Sequence, residues 1–446
     1  MPHQTKALNY CRATSYPALF MEMRLGKTKV VIEWLRSMQK RILVVCPLST
    51  VRGWEDELRL EHEPSPALLL GNRDTRLNEF AKQVKWNLIN FEGIMRYPEL
   101  LSNYHWGAIV VDESTRIKNP KSQASKLLCQ YAHNADCRCI MSGNPDPEGP
   151  LDLFQQFKFL IGNMMGFHNY YSYRSALFFS LYKHFKWVTK PSIKPRIRSW
   201  VDHHSFVMSR KEVGLANKKI YETRTVNMES EQCRLMEKLE SEFALETSTG
   251  ELQTQWVTVK LIWMARLAGG YVDGKRWFTG KFMELLNLLQ GELKKEQVVV
   301  WFRFNAELDY AITLLSTHGI NCSKIDGTLD EQTRARIRRD FSQGHIRCLL
   351  VQQKVGMFGL DLSTASTAIY FSNNYSSEIR IQSEDRIEHP LKKEPLLIMD
   401  ICTAKTVDED VVKILKRKKK ESAYYLMHDE LTSTIQERHH ARLTSN

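Results

Sequence analysis

Short apolar runs alternate with amphipathic stretches over the first third of the chain. Residues 27–38 place Val30, Val31, Trp34, Leu35 and Met38 on one helical face. Residues 41–47 form a β-branched run that predicts a buried strand, and residues 107–113 and 137–143 repeat its form. Strands without polar alternation, separated by helices, predict a parallel sheet covered on both faces. From 151 to 267 this alternation stops. The stretch is rich in aromatic and basic residues, and Leu235, Leu239 and Phe243 recur at helical spacing, so it reads as a helical linker or protrusion. The alternation then resumes, with strands over 298–304, 348–352, 368–371 and 396–401 and a helix over 305–318. Thr328 and Glu331 form a capping box for a helix reaching about Phe341. A helix over 408–420, acidic at its start and basic at its end, closes the fold. The expected architecture is α/β, with parallel-sheet domains over 1–150 and 268–420, the linker over 151–267 and a tail over 421–446.

Length and composition change this picture little. A chain of 446 residues exceeds one compact core. The net charge of +12 points to a basic enzyme or to a polyanionic partner, because Lys and Arg displace counterions from phosphates. Nine Cys without a CxxC pair exclude a zinc ribbon or a disulfide framework and suit a reducing, cytoplasmic setting. The longest apolar runs are too short to span a bilayer, and no signal peptide is visible, so no membrane partner is expected.

Chemistry enters at strand ends. Gly26-Lys27-Thr28 precedes a helix: Gly26 admits a phosphate to the backbone, Lys27 can reach the β- and γ-phosphates and Thr28 can ligate Mg²⁺. The full P-loop pattern is not met, since Met21 stands where its first Gly belongs, and Gly-Lys-Thr alone also opens ordinary helices. Asp112-Glu113 ends a strand, at the edge where open α/β sheets bind ligands. Asp112 would hold Mg²⁺ and Glu113 would orient the attacking water, although an acidic pair there can also cap a helix. The two elements together predict a site for ATP and Mg²⁺. In the second α/β unit, Arg386 on a helix could serve a γ-phosphate or pair with Glu384 or Asp385.

Ordered elements along nearly the whole chain resemble the Swi/Snf-type branch of helicase superfamily two. Pro2-His3-Gln4 resembles its adenine-reading element, residues 22–28 (EMRLGKT) resemble DEMGLGKT, and 112–119 (DESTRIKN) resemble DEAHRIKN. Residues 44–47 through Trp54 resemble a DNA-strand contact, and Ser142-Gly143-Asn144-Pro145 resembles TGTP. Residues 208–211 and 219–221 are similar to the family's brace. Residues 325–328, 359–362 and 382–386 match the second lobe in order. The resemblance implies two RecA-like domains, an ATP hydrolase and a motor on double-stranded DNA. It implies nucleotide contacts by Gln4, Arg24, Gly26, Lys27, Thr28, Gly359 and Asp361, and nucleic-acid contacts by Pro47, Trp54, Asn90, Lys118, Asn119, Gly327, Thr328 and Gln352. The short linkers are similar to those of phage members, so further partners would be host, phage or defence proteins.

Four departures qualify the match. Arg24 replaces a Gly, which costs free energy if that position needs φ > 0. Thr115 replaces the His of DEAH, and Asn144 replaces a Thr. The second arginine of the last element is His389, followed by Pro390. A helix through 386–389 would put Arg386 and His389 on one face, and Arg380, Lys392 or Lys393 are substitutes for the missing charge. A degenerate ATP- and DNA-binding clamp, or a recruiting subunit of a defence or recombination complex, is the alternative to a motor.

Overall fold

The computed structural model describes residues 1–147, 149–181, 186–248, 254–272, 275–276, 278–356, 360–389, 392, 394–417 and 435. The chain divides into two compact units, Met1–Ala216 and Asn217–Asn446.

In the first unit seven strands form one parallel sheet. Their spatial order is Ala67–Leu69, Trp86–Asn90, Ile42–Cys46, Trp106–Val111, Ala135–Met141, Ala18–Met21 and Phe206–Met208. Strand alternation sorts the apolar side chains into two layers. Leu43, Val45, Ile109, Val111 and Ile140 face helices Phe91–Arg96, Gln123–Tyr131 and Leu153–Ile161. Ile42, Val44, Val110, Cys139 and Met141 face helices Pro2–Arg12, Lys27–Leu35 and Val51–Leu60. Both faces are buried, which is why the central strands read as unbroken apolar runs.

The second unit repeats the plan with six parallel strands. Their order is Lys219–Val226, Leu396–Thr403, Thr367–Tyr370, Val298–Phe302, Cys348–Gln352 and Cys322–Ile325. Val298, Val300 and Phe302 pack on helix Gly280–Gln290, while Val299 and Trp301 pack towards helix Glu331–Ser342. Helices Ser230–Ser248 and Thr254–Ala268 bury Met236, Phe243, Leu261 and Met264 against helix Val407–Arg417.

Three expectations need correction. The 151–267 stretch is not purely helical: Phe206–Met208 and Lys219–Val226 are edge strands, one in each sheet, and Phe178–Leu181 pairs with Lys186–Thr189 as an antiparallel hairpin. Helix Glu331–Ser342 is capped by Asp330, whose side chain accepts from the Thr333 amide at 2.9 Å. Thr328 instead closes a turn on Asp326, its amide donating to Asp326 Oδ1 at 2.9 Å. Helix Ser377–Asp385 ends with Arg386 as its C-cap, so His389 lies beyond it and the two do not share a helical face. No helix among the described residues is long and apolar enough to cross a membrane.

Candidate nucleotide and nucleic-acid site

All strands of the first sheet run parallel, so their carboxyl ends gather the chemistry at one edge. Strand Ala18–Met21 delivers the loop 22–26, and helix Lys27–Leu35 starts from Gly26, whose φ is 80°. A Cβ on Gly26 would overlap the Gln4 side-chain amide, so the glycine lets helix Pro2–Arg12 seat Gln4 against the loop. The His3 ring holds the Leu25 carbonyl at 3.1 Å. Lys27 Nζ donates to the carbonyls of Met21 at 2.7 Å and Glu22 at 3.2 Å, which parks its charge over the loop where a phosphate would compete for it. Arg24 has φ 63°, the left-handed backbone that the replaced glycine would adopt without cost. Glu22 is anchored by Arg210, which donates to its Oε2 from Nε at 3.0 Å and from the backbone at 3.1 Å.

The central strand Trp106–Val111 delivers Asp112 and Glu113. Asp112 is buried, and its oxygens are oriented separately. Oδ1 accepts the Glu113 amide at 2.9 Å and Oδ2 accepts the Trp54 indole N–H at 2.9 Å. Burial pushes the Asp112 carboxyl above its ordinary range, against the pull of the Trp54 N–H, the Lys27 charge and the Glu113 amide. An ionised carboxylate has about four acceptor positions, so two remain for a cation or its water. Thr28 lies in the first turn of helix Lys27–Leu35, and a carboxylate and a hydroxyl are the kind of oxygen donors that Mg²⁺, a hard cation, prefers. Glu113 has φ 49° and ψ 56°, a conformation that costs a non-glycine residue about 1–2 kcal/mol. Such strain at a strand end next to a phosphate loop is characteristic of functional positions.

A buried relay leaves this turn. Ser114 Oγ donates to Gln156 Oε1 at 2.6 Å, and Gln156 Nε2 donates to the carbonyls of Pro145 at 2.6 Å and Asp152 at 2.8 Å. It ties the acidic turn to the Ser142–Pro145 segment, although Thr115 lacks the imidazole that the resemblance would place there. Gly143 packs on Met23 of the phosphate loop. Neither Gln156 nor the Trp54–Asp112 bond was foreseen. Gln156 stands in an apolar run with no motif around it, and Trp54 was expected on a DNA strand.

The expected nucleic-acid residues divide. Pro47, Trp54 and Asn90 are buried, and Asn90 donates to Glu92 at 2.8 Å, so these side chains shape the sheet edge. Lys118 pairs with Asp152 at 3.3 Å. Asn119, Gly327 and Thr328 are exposed.

In the second unit, Gln352 lines a cavity of about 390 Å³ with Arg266, Arg303 and Asn305. Arg303 lies 3.9 Å from the Tyr375 ring centroid. Glu307, fully buried beside it, is pushed up to about 7 by burial, although Lys281 and the Ser372 hydroxyl oppose this. Arg380 is excluded as a substitute finger. It is buried and donates to Asp400 at 2.6 Å and to Glu384 at 2.8 Å. Lys392 Nζ is held by the carbonyls of Ser363 and Ala365, each at 2.8 Å. The His389 amide donates to Asn217 at 3.2 Å. Asp361 is exposed and closes a turn on the Ser363 amide at 3.0 Å, whereas Gly359, Pro390 and Lys393 lie outside the described residues.

Two parallel-sheet units, one with a Gly-Lys-Thr loop and an Asp-Glu pair on a single edge, define a pair of RecA-like α/β domains. The SNF2-related domain family matches residues 3–266, and the helicase conserved C-terminal domain matches 280–389. The chain belongs to the SNF2-related domain family, with a helicase conserved C-terminal domain following it. It is 21% identical to the human SWI/SNF-related matrix-associated actin-dependent regulator of chromatin subfamily A member 1, over 88% of this chain and 40% of that protein. It is 24% identical to the ATP-dependent DNA helicase DDM1 of Arabidopsis thaliana, over 88% of this chain and 57% of that protein. The chain thus spans well under two thirds of these relatives. Among solved structures, the Sulfolobus solfataricus SWI2/SNF2 ATPase core in complex with dsDNA aligns over 98% of this chain and 93% of that chain, with 17% identity and a TM-score of 0.45.

Proposed function

We propose that this chain uses ATP hydrolysis to translocate along double-stranded DNA, remodelling or annealing rather than separating strands. The observation that carries the reading is the single edge on which Gln4, Gly26, Lys27, Asp112 and Glu113 meet, in a chain whose second unit is a helicase domain. Gln4 reads the adenine against Gly26. Lys27 exchanges its carbonyl partners for the β- and γ-phosphates. Thr28 and Asp112 hold Mg²⁺, which when bound offsets phosphate charge, and Trp54 and the Glu113 amide keep Asp112 in one orientation. Glu113 orients a water for in-line attack on the γ-phosphorus. The P–O bond to the leaving ADP breaks, and the water's proton passes to the carboxylate or to solvent. Arg386 is the candidate to stabilise the charge that develops.

Displacement of a third strand from a triplex-bearing duplex tests movement. The expected result is ATP-dependent release by the parent chain and none by Lys27→Ala. His389, where the family has a second arginine, favours a static clamp as the second reading. A parent that binds ATP and duplex DNA but never displaces the third strand would establish the clamp.

A further inference from the structure

Between Asp152 and Asp202 the sequence has no Asp or Glu but eight Lys or Arg, so 49 residues hold +8 of the net +12. The structure separates the two characters of this segment. Its apolar side chains are core: Phe154, Phe157, Tyr173, Leu177, Ile197 and Val201 are all buried in the first unit. The charges stay outside. Lys194, Arg196 and Arg198 on helix Lys194–His204 are exposed, and Lys190 is held at the helix's approach by the Ala176 carbonyl at 2.7 Å. Arg174 lies 4.1 Å from the Trp187 ring centroid and 5.2 Å from that of Tyr171, and its buried Nε has no hydrogen-bond partner. Tyr171 and Phe179 are 49% and 38% exposed. Arg198 pairs with Asp202 at 3.1 Å. Among the described residues, neither Lys194 nor Arg196 has a carboxylate within salt-bridge distance.

A solvated face normally mixes signs, as helix Arg73–Ala81 does with Arg73, Asp74 and Glu79. A face of one sign repels itself and gains most from a polyanion, whose condensed counterions are released on contact. The helices that carry these charges pack on the sheet layer opposite helix Lys27–Leu35, away from the Gly-Lys-Thr loop, although burial pushes the Asp146 carboxyl up and Arg198 is near enough to pull it down.

We infer that this surface is a second contact for duplex DNA, gripping its sugar-phosphate backbone outside the motor motifs. The inference rests on the duplex reading above. Among the described residues, two exposed aromatic side chains are too few for a membrane-inserting face or for a continuous stacking platform along single-stranded DNA, whereas unneutralised charge suits a phosphate ladder.

The test is a fluorescence-anisotropy titration of the full chain with a short labelled duplex at several salt concentrations, comparing the parent with Lys194→Gln/Arg196→Gln. The double variant should bind roughly tenfold more weakly at low salt, and its slope of log K against log salt should be shallower by about 1.8, two phosphate contacts' worth. Its melting temperature and DNA-free ATP binding should match those of the parent. An unchanged duplex affinity and slope overturn the inference. So does a loss confined to single-stranded DNA, to phosphatidylserine vesicles or to an acidic protein such as prothymosin-like polyglutamate. A parent that binds duplex beside an unchanged variant overturns this inference alone, whereas a parent that binds no duplex overturns the motor reading with it.

Discussion

Glu113 is held in a left-handed conformation at the end of the central strand, with φ 49°. A fold that needed only a turn there would place glycine. Glu113→Gly should therefore melt no lower than the parent, because relief of about 1–2 kcal/mol of backbone strain offsets glycine's added chain entropy. It should nonetheless hydrolyse no ATP. A clear fall in melting temperature would show that the carboxylate serves the fold. Trp54 acts on the same turn from behind. Trp54→Phe keeps a buried aromatic ring but removes the N–H that donates to Asp112 Oδ2, together with part of the indole. The expected effect is a higher Mg²⁺ concentration for half-maximal ATP binding, with nucleotide-free stability lowered by about 2–3 kcal/mol, one hydrogen bond plus the smaller ring's cavity. An unchanged Mg²⁺ requirement would contradict the positioning role. The placement of these residues at strand ends was legible from sequence because Gly26-Lys27-Thr28 and Asp112-Glu113 are local patterns. The partners of Asp112 and Ser114 were not: Trp54 and Gln156 come from 58 and 42 residues away, and only folding brings them there.

At the scale of elements, strands buried on both faces announced themselves. Ile42–Cys46 and Val298–Phe302 are apolar at every position, and both lie in sheet interiors. The edge strands did not. Lys219–Val226 alternates half-buried with exposed residues, and its Lys, Glu, Arg and Thr resemble a polar linker. Helix ends were also misread where two caps compete. Asp330 displaced Thr328 because its side chain sits one residue before the helix, where it reaches the Thr333 amide. The helix Asn305–Thr317 carries a further consequence in Glu307, fully buried and pushed up to about 7. From the carboxyl's ordinary 4.5 to about 7, the folded chain keeps a proton that the unfolded chain has lost. Stability contributed by this group therefore falls as pH rises through that window and levels off above it. Glu307→Gln should remove this decline. The stability difference in favour of the variant should grow by roughly 3 kcal/mol between pH 4.5 and pH 8, read from urea midpoints. Parallel pH profiles would mean that Glu307 stays ionised beside Lys281.

For the whole molecule, two units of similar architecture carry unequal chemistry. The first holds the phosphate loop, the acidic pair and the acid-free basic segment. The second holds Arg386 and the exposed Gly327 and Thr328. Binding through phosphates makes affinity steeply dependent on salt and indifferent to sequence, so shuffled duplexes of one length should bind alike at each ionic strength. A strong preference for one short sequence would oppose a translocating grip. In the proposed function, duplex DNA drives ATP hydrolysis at the Lys27–Asp112–Glu113 edge. The decisive measurement is phosphate release in parallel with duplex DNA, single-stranded DNA, RNA and no nucleic acid, for the parent and Glu113→Gln. Duplex DNA is expected to stimulate the parent most, while Glu113→Gln binds ATP as tightly and releases no phosphate above background. Equal rates with and without DNA, or a Glu113→Gln chain as fast as the parent, would contradict that function.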